Sequence, residues 1–252
     1  MSLAIKTTSI SEQLSSDEVR RYARQLVLKG VGGAGQQLIR ASRVLVIGAG
    51  GLGSPVLAYL AAAGVGTLGV VDDDAVAISN LQRQIIHTTR RTGERKASSA
   101  AAFVEQLNPH VRVVDYCERA DQKSLDRLLP QYDFVVDGTD NFVSRSVIAV
   151  AARSAGKTLV TGAVSGWDGQ LTVFSSDGPK FDDLYPPNAG EDDFPSCEMV
   201  GVVGAITGVI GSLMAAEVIK LLTGVGDPLV GRLLLYDGRS GRFIELAYGP
   251  TT

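Results

Sequence analysis

The sequence has few of the residues that build covalent or metal-based scaffolds. Among its 252 residues there are two cysteines, Cys117 and Cys197, and two histidines, His87 and His110. Two cysteines exclude a disulfide scaffold and cannot supply a four-cysteine zinc site. Two histidines give no argument for a histidine acid–base pair, and we predict a structural role for both. We assign no chemistry to Cys117, which falls at a strand end.

Excess charge and long uninterrupted apolar runs are also missing. The 24 basic and 27 acidic residues give a formal charge of −3, which argues against binding nucleic acid through bulk positive charge. Two charge-free stretches, 44–71 and 199–216, are interrupted by glycines, and we interpret them as buried elements rather than membrane spans. Residues 1–16 hold no apolar run of signal-peptide length, so we expect a cytoplasmic protein that binds neither membrane nor nucleic acid.

Glycine, by contrast, is abundant, with 29 residues that cluster at turns between apolar segments. The segments 43–47 and 68–71, which are apolar apart from Arg43, have the length of buried strands, and segments of helical spacing alternate with them. This alternation predicts an α/β fold, a Rossmann-like, doubly wound and mostly parallel sheet covered on both faces. Strands at 170–174, 233–236 and 243–247 predict an antiparallel C-terminal extension.

A glycine-rich turn follows the first predicted strand. Gly48-x-Gly50-x-x-Gly53 lies between a strand and a helix, where the backbone can approach a phosphate and the helix N-terminus offers free N–H groups. Asp72 ends the next strand, 24 residues after Gly48, where a carboxylate can hold ribose hydroxyls. The pattern predicts a phosphate-bearing ligand and is compatible with NAD, FAD or ATP. A tight packing turn is the alternative.

Amide and cationic side chains follow Asp72. Asn80, Arg83 and Gln84 fall in one short stretch, and Lys96 comes thirteen residues after Arg83. Attack on a triphosphate puts growing charge on the departing pyrophosphate, which fixed arginine and lysine groups stabilise, whereas hydride transfer has no evident need for them. These residues therefore favour triphosphate chemistry, with ordinary surface charge as the alternative.

The segment Asp137-Gly-Thr-Asp140-Asn141 closes the fourth predicted strand. Carboxylates at the carboxyl ends of parallel strands face the ligand crevice, and hard oxygen donors bind Mg²⁺ beside phosphates. We therefore predict that Asp140 is a Mg²⁺ ligand and that Asn141 lies beside it in the nucleotide site. Capping by Asp140 of the following helix is the alternative.

We interpret the chain as one domain with three segments. Residues 1–42 form N-terminal helices, residues 43–163 a nucleotide-binding core, and residues 164–252 a crossover loop, an apolar helix and a terminal hairpin. The loop, residues 175–196, is rich in proline, glycine and aspartate. An irregular segment of this length in a compact domain is usually either functional or disordered.

In this order, the motifs resemble those of the HesA/MoeB/ThiF family of ubiquitin-activating-enzyme-like adenylyltransferases. The resemblance runs from about residue 16 to residue 247 and includes Arg21-Tyr-Ala-Arg24-Gln25 and the glycine-spaced final helix. It implies binding of ATP and Mg²⁺ and adenylation of the C-terminal Gly-Gly carboxylate of a small sulfur-carrier protein, for thiamine- or molybdopterin-type sulfur incorporation. The positions that match the family's nucleotide site are Gly51, Asp72, Asn80, Arg83, Gln84, Lys96 and Asp140.

The resemblance also implies an oligomer and one candidate for covalent chemistry. Arg24 matches an arginine that in the family reaches the ATP of the other subunit, so we expect a homodimer. Cys197 aligns with a cysteine that in some members bonds to the activated carrier. A thiol near a helix N-terminus can be a good nucleophile, but the adjacent Glu198 opposes the thiolate, so an inert role stays open.

One part of the family pattern is missing. Family members commonly hold zinc with two CxxC pairs, but here the positions of the first pair are Lys180 and Asp183, and no CxxC occurs anywhere. We predict that no zinc is bound. The crossover loop must then be held in another way, and a Lys180–Asp183 pairing would contribute little if exposed.

Functions of other classes stay open from the sequence. The glycine turn and Asp72 alone would fit an NAD(P)-dependent oxidoreductase, which leaves residues 79–84 and Lys96 unexplained. A noncatalytic partner subunit would keep the fold for binding only and would not need Arg83, Lys96 and Asp140. A related enzyme that adenylates a small molecule or a tRNA base carboxylate is a further alternative.

Overall fold

The computed structural model describes residues 13–185 and 201–249. The strands within these ranges are β1 (Arg43–Ile47), β2 (Thr67–Val71), β3 (Arg112–Tyr116), β4 (Phe134–Asp137), β5 (Thr158–Ser165), β6 (Asp168–Phe174), β7 (Arg232–Asp237) and β8 (Arg242–Ala247). They form one sheet in the order β3-β2-β1-β4-β5-β6-β7-β8. Neighbours from β3 to β5 pair in parallel, and β6, β7 and β8 are added antiparallel.

This topology confirms the predicted α/β class with its antiparallel extension. Strands β1, β2 and β3 are added in one direction, and the chain then returns to place β4 on the other side of β1. Ligands of doubly wound sheets bind outside the carboxyl ends of the strands at such a reversal. The sheet is continuous through β5, so the boundary drawn after residue 163 falls inside a strand.

Within the same described ranges, the α-helices are α1 (Ser16–Arg21), α2 (Ala23–Leu26), α3 (Gly32–Ala41), α4 (Gly53–Ala63), α5 (Lys96–Leu107), α6 (Gln122–Leu128), α7 (Phe142–Ser154) and α8 (Gly204–Thr223). Helices α1 and α2 are separated at Tyr22. The Tyr22 ring is buried against Gly64, and its hydroxyl accepts a hydrogen bond from Asn108. The side chain of Tyr22 is thus anchored inward at the point where the two helices meet.

Two apolar layers enclose the sheet. Residues of α3, α4, α5 and α8 pack on one face, and residues of α6, α7 and the chain after β6 pack on the other. Helix α8 is long and apolar enough to cross a membrane by length and composition, yet 56% of that stretch is buried inside the fold. It packs so closely on α4 that a Cβ on Gly211 would lie 2.3 Å from the Pro55 ring. Its apolar composition is thereby explained as that of a core helix.

Candidate active site

A cavity of about 880 Å³ opens at the carboxyl ends of the parallel strands. The register pairs Ile47 with Asp137, so the turns that follow β1 and β4 lie side by side at the topological reversal. We call this region the turn end; the residues that line it include Gly50, Gly51, Asp72, Arg83, Gln84, Lys96, Asp140 and Asn141. The cavity continues across the antiparallel strands. We call its second region the strand end; it is lined by Ala163, Gly169, Gln170, Leu235 and Tyr236.

The glycine turn after β1 is tightly packed on one side and open on the other. Gly48 has a φ of +90°, and a Cβ there would lie 2.9 Å from the carbonyl oxygen of Gly138. A Cβ on Gly53 would lie 1.9 Å from the Gly48 carbonyl oxygen, so glycine is required where α4 begins against the strand. Among the described residues, the N–H groups of Gly50 and Gly51 donate to no other group. This arrangement suits an anion at the N-terminus of α4.

Asp72 organises the same turn. One carboxylate oxygen accepts a hydrogen bond from the Ala49 N–H at 2.8 Å, and the other accepts from the Asp74 N–H at 2.9 Å. Burial raises the pKa of Asp72, and the nearby Lys96 ammonium opposes that shift. The carboxylate therefore fixes the backbone of the turn while it lines the cavity, a role that its predicted contact with ribose did not include.

Two cations line the cavity wall near the turn. Lys96 is the first residue of α5, and its buried ammonium lies 2.8 Å from Asp74. The half-buried Arg83 guanidinium donates to the Ser79 carbonyl oxygen at 3.2 Å. Gln84 is buried beside them, and its amide oxygen has no hydrogen-bond partner among the described residues. The wall thus presents two cations, which suit a polyanionic ligand. The unpaired Gln84 oxygen can only accept a hydrogen bond, so it suits a hydroxyl or amino group of a ligand.

Asp140 is exposed and lines the cavity. Asn141, not Asp140, caps α7, because the Asn141 side chain accepts a hydrogen bond from the Ser144 N–H at 2.9 Å. The alternative interpretation of Asp140 as a helix cap is therefore wrong. Among residues 13–185 and 201–249, the Asp140 carboxylate has only a long 3.5 Å contact with the Asn141 amide, so its oxygens can accept a ligand.

A buried network beneath Asp140 was missed by the sequence analysis. Asp137 is fully buried and accepts hydrogen bonds from the Thr139 N–H, the Thr139 hydroxyl and the Thr161 hydroxyl. Arg145 is also buried; it lies 3.5 Å from the Asp137 carboxylate and donates to the Thr139 carbonyl oxygen. These contacts fix the backbone just before Asp140. Asp137 was visible inside the quoted motif, but nothing in the pattern indicated its partner Arg145.

His87, for which the sequence analysis predicted a structural role, contacts the glycine turn from behind the cavity wall. Its side chain is buried, with Nε2 2.9 Å from the Ala49 carbonyl oxygen and Nδ1 2.9 Å from the Ser99 hydroxyl. Burial lowers the pKa of His87. The expectation of a structural histidine did not foresee contact with the glycine turn, since a lone histidine after a polar segment carries no signal of its partner.

Three predicted residues of the described chain, Gly53, Asn80 and Arg24, are not among those that line the cavity. Asn80 accepts a hydrogen bond from the Ala77 N–H at 3.3 Å and is not among the lining residues. Arg24 is exposed on α2 and is also absent from the lining. Cys197 lies outside the described residues.

An aromatic cluster holds the beginning of the crossover loop. It consists of Phe142, Phe174, Phe181, Tyr185 and Tyr248, with ring centroids 4.6 to 6.1 Å apart. Asp183 accepts a hydrogen bond from the Lys180 backbone N–H at 2.6 Å, so the anticipated side-chain pairing is replaced by a bond to the main chain. Aromatic packing thus anchors this segment at the positions where the family pattern would place the first zinc-binding pair.

These features define a class of protein, a Rossmann-like nucleotide binder whose cavity joins a phosphate-binding turn to two cations and a free carboxylate. The chain belongs to the ThiF family, whose model matches residues 22–250. That match extends over both the parallel core and the antiparallel extension. The family resemblance inferred from the motifs is therefore confirmed.

Two bacterial proteins are similar to this chain over most of its length. The chain is 46% identical over 246 residues to the probable adenylyltransferase/sulfurtransferase MoeZ of Mycobacterium tuberculosis, covering 95% of this chain and 63% of the relative. It is 45% identical over 238 residues to the sulfur carrier protein adenylyltransferase of Thermus thermophilus, covering 92% and 88%. The chain therefore spans less than two thirds of the first relative and most of the second.

The fold also matches solved structures at low sequence identity. The crystal structure of Escherichia coli MccB with ATP superposes with a TM-score of 0.75 at 17% identity, covering 86% of this chain and 67% of that chain. At this identity the likeness establishes the shared fold and nothing about the substrate.

Proposed function

We propose that this protein transfers the adenylyl group of ATP to the C-terminal carboxylate of a small sulfur-carrier protein that ends in Gly-Gly. The observation that carries the proposal is the continuity of the cavity. Its turn end combines free N–H groups, Arg83, Lys96 and Asp140, and its strand end opens beside Gly169 and Tyr236. A nucleotide and an extended peptide tail can occupy one such cavity with their reacting groups adjacent.

The chemistry needs little beyond positioning and charge. The carrier carboxylate is already ionised at neutral pH, so no general base is required. One of its oxygens attacks the α-phosphorus of ATP, a new P–O bond forms, and the bond to the bridging α–β oxygen breaks to release pyrophosphate. Negative charge grows on the leaving pyrophosphate, where Arg83 and Lys96 stabilise it from fixed positions.

The carboxylate of Asp140 suits the binding of a divalent cation. Asp140 is an exposed carboxylate on the cavity wall that is not used as a helix cap, and its backbone is fixed by the Asp137 network. Oxygen donors of this kind hold Mg²⁺ together with phosphate oxygens and water. When bound, the ion would neutralise phosphate charge and so assist departure of pyrophosphate.

We also propose that the active unit is a homodimer. Arg24 carries a cation on an exposed helix and is not among the residues that line the cavity of its own chain. This position supports a role in the site of a second copy, as the family resemblance implies.

The test is carrier-dependent exchange of pyrophosphate into ATP. We expect exchange with a Gly-Gly-terminated carrier from the same organism and none with that carrier lacking its last two residues. Asp140→Asn should reduce exchange at every Mg²⁺ concentration. Exchange that needs no carrier would contradict the protein substrate, and binding of NADH in place of ATP would support the oxidoreductase alternative.

A further inference from the structure

His87 connects the phosphate-binding turn to the helix that carries Lys96. Its buried imidazole touches Ala49, between the first two glycines of the turn, through Nε2. On its other side, Nδ1 meets the Ser99 hydroxyl on α5, one turn of helix after Lys96. A single side chain therefore spans the two elements that form the phosphate-facing wall.

The partners determine which ring nitrogen carries the proton. A carbonyl oxygen can only accept a hydrogen bond, so the contact with Ala49 requires a proton on Nε2. In a neutral imidazole, Nδ1 then accepts from the Ser99 hydroxyl, which satisfies both ring nitrogens. The contacts thus select one tautomer of the neutral ring.

The Ala49 residue is held from both sides. Its N–H donates to Asp72 at 2.8 Å, and its carbonyl oxygen accepts from His87 at 2.9 Å. In a trans peptide the C=O and the next N–H point in opposite directions, so fixing the Ala49 carbonyl also fixes the direction of the Gly50 N–H. Gly50 lines the cavity, and its N–H donates to no described group.

We propose that His87 is a positioning residue for adenylyl transfer, and that its neutral, Nε2-protonated imidazole fixes the Ala49–Gly50 peptide relative to Lys96. The effect of His87 on catalysis rests on the proposed use of ATP. The inferred tautomer rests only on the contacts with Ala49 and Ser99. No proton is transferred to or from His87 in this role. Its contribution is preorganisation of a backbone donor for phosphate.

The tautomer is measured first, on the unliganded protein. The chain contains two histidines, so long-range ¹H–¹⁵N correlation spectra hold two ring systems, and His110→Gln assigns the exposed one. We expect His87 to show a protonated Nε2 and an unprotonated Nδ1 at pH 7.5. A ring protonated on Nδ1, or on both nitrogens, at that pH would overturn the proposal.

Variants then test the consequence for the nucleotide. His87→Leu leaves the Ala49 carbonyl without its buried donor, and we expect kcat/KM for ATP to fall at least about tenfold while KM for the carrier stays within about twofold. His87→Gln keeps a donor and should restore part of the loss. Ser99→Ala should weaken the tautomer preference and lower kcat/KM for ATP less than His87→Leu, and His110→Gln is the surface control.

The outcomes separate this proposal from the proposed function. Binding of an ATP analogue with a methylene group between the α- and β-phosphorus is measured by calorimetry for the wild type and each variant. If the wild type binds the analogue and His87→Leu binds it equally well, the positioning role is wrong. If the wild type does not bind it, the proposed function fails while the tautomer result still stands. If His87→Leu does not fold, binding of the analogue by His87→Gln and Ser99→Ala is compared with binding by the wild type instead.

Discussion

The two ends of the cavity are built by different physical means. At the turn end, short polar contacts fix the backbone, as when Asp72 and His87 hold Ala49 at 2.8 and 2.9 Å. Near the strand end, by contrast, the Tyr236 ring stacks on Phe243 with ring centroids 4.6 Å apart. The apolar side chains Phe243, Ile244 and Leu246 of β8 are about half exposed, at 51%, 52% and 48%. A phosphate needs donors at fixed positions, whereas a protein partner needs apolar area to cover.

This difference predicts a division of effects. Substitutions at the turn end should change the chemistry of ATP with little effect on the partner. Substitutions around the strand end and the aromatic cluster should change stability or partner affinity and leave nucleotide chemistry in place. The following predictions test this division, beginning with the largest effect.

Lys96→Ala should lower carrier-dependent pyrophosphate exchange by roughly 10²-fold or more, the scale expected for losing a preorganised charge at the leaving group. The side chain is buried and faces Asp74, so its removal also leaves a carboxylate without its partner. Lys123→Ala, at an exposed position on α6, is the matched control and should exchange at the wild-type rate. Exchange by Lys96→Ala near that rate would remove Lys96 from the mechanism.

Mixing inactive variants tests whether the turn end is completed by a second subunit. If Arg24 acts across the interface, Arg24→Ala and Lys96→Ala chains should regain activity when mixed. Random pairing gives about half mixed dimers, each with one intact site, so about one quarter of wild-type exchange is expected. No recovery, under conditions where subunits demonstrably exchange, would show that each site is built within one chain.

The aromatic cluster should matter for stability rather than chemistry. Phe181 is buried among Phe142, Phe174 and Tyr185, so Phe181→Ala should lower the free energy of unfolding by about 3 kcal/mol. Phe243→Ala, on the exposed strand β8, removes the same side chain and should cost about 1 kcal/mol or less. Denaturant titration measures both, and a larger loss for Phe243→Ala would show that β8, and not the aromatic cluster, contributes more to the stability of this region.

The same cluster bears on the prediction that no zinc is bound. If ring packing holds the crossover loop, purified protein should contain no stoichiometric zinc by mass spectrometry. A chelator should then leave the melting temperature unchanged in the absence of nucleotide. About one zinc per chain would show that ligands outside those named here hold the metal.

The sequence predicted most of the turn end because phosphate chemistry fixes spacing along the chain. Gly48, Gly53 and Asp72 fall within one strand–helix–strand unit, where local geometry dictates residue type. The contact of His87 was not predicted because the turn it touches lies 38 residues earlier in the chain, and only tertiary structure brings the two together. Arg145 lies only six residues after Thr139, but helical spacing does not show that its side chain turns back to the Thr139 carbonyl oxygen and the Asp137 carboxylate. The aromatic cluster likewise joins residues from four separated segments, so no local pattern indicated it.

The smallest predicted effect concerns acid stability at the turn end. Burial first, and then the charges of Lys96 and Arg91, lower the pKa of His87, while the Ala49 hydrogen bond opposes this shift. The unfolded chain therefore binds a proton near pH 6.5 that the folded ring resists, so the free energy of unfolding falls as pH drops below about 6.5. One such group contributes at most about 1.4 kcal/mol per pH unit.

Urea titrations between pH 7.5 and 5.5 should show a smaller decrease in the free energy of unfolding for His87→Gln than for the wild type, whereas His110→Gln should keep the wild-type decrease. Equal decreases in all three proteins would show that His87 is not the group that resists protonation.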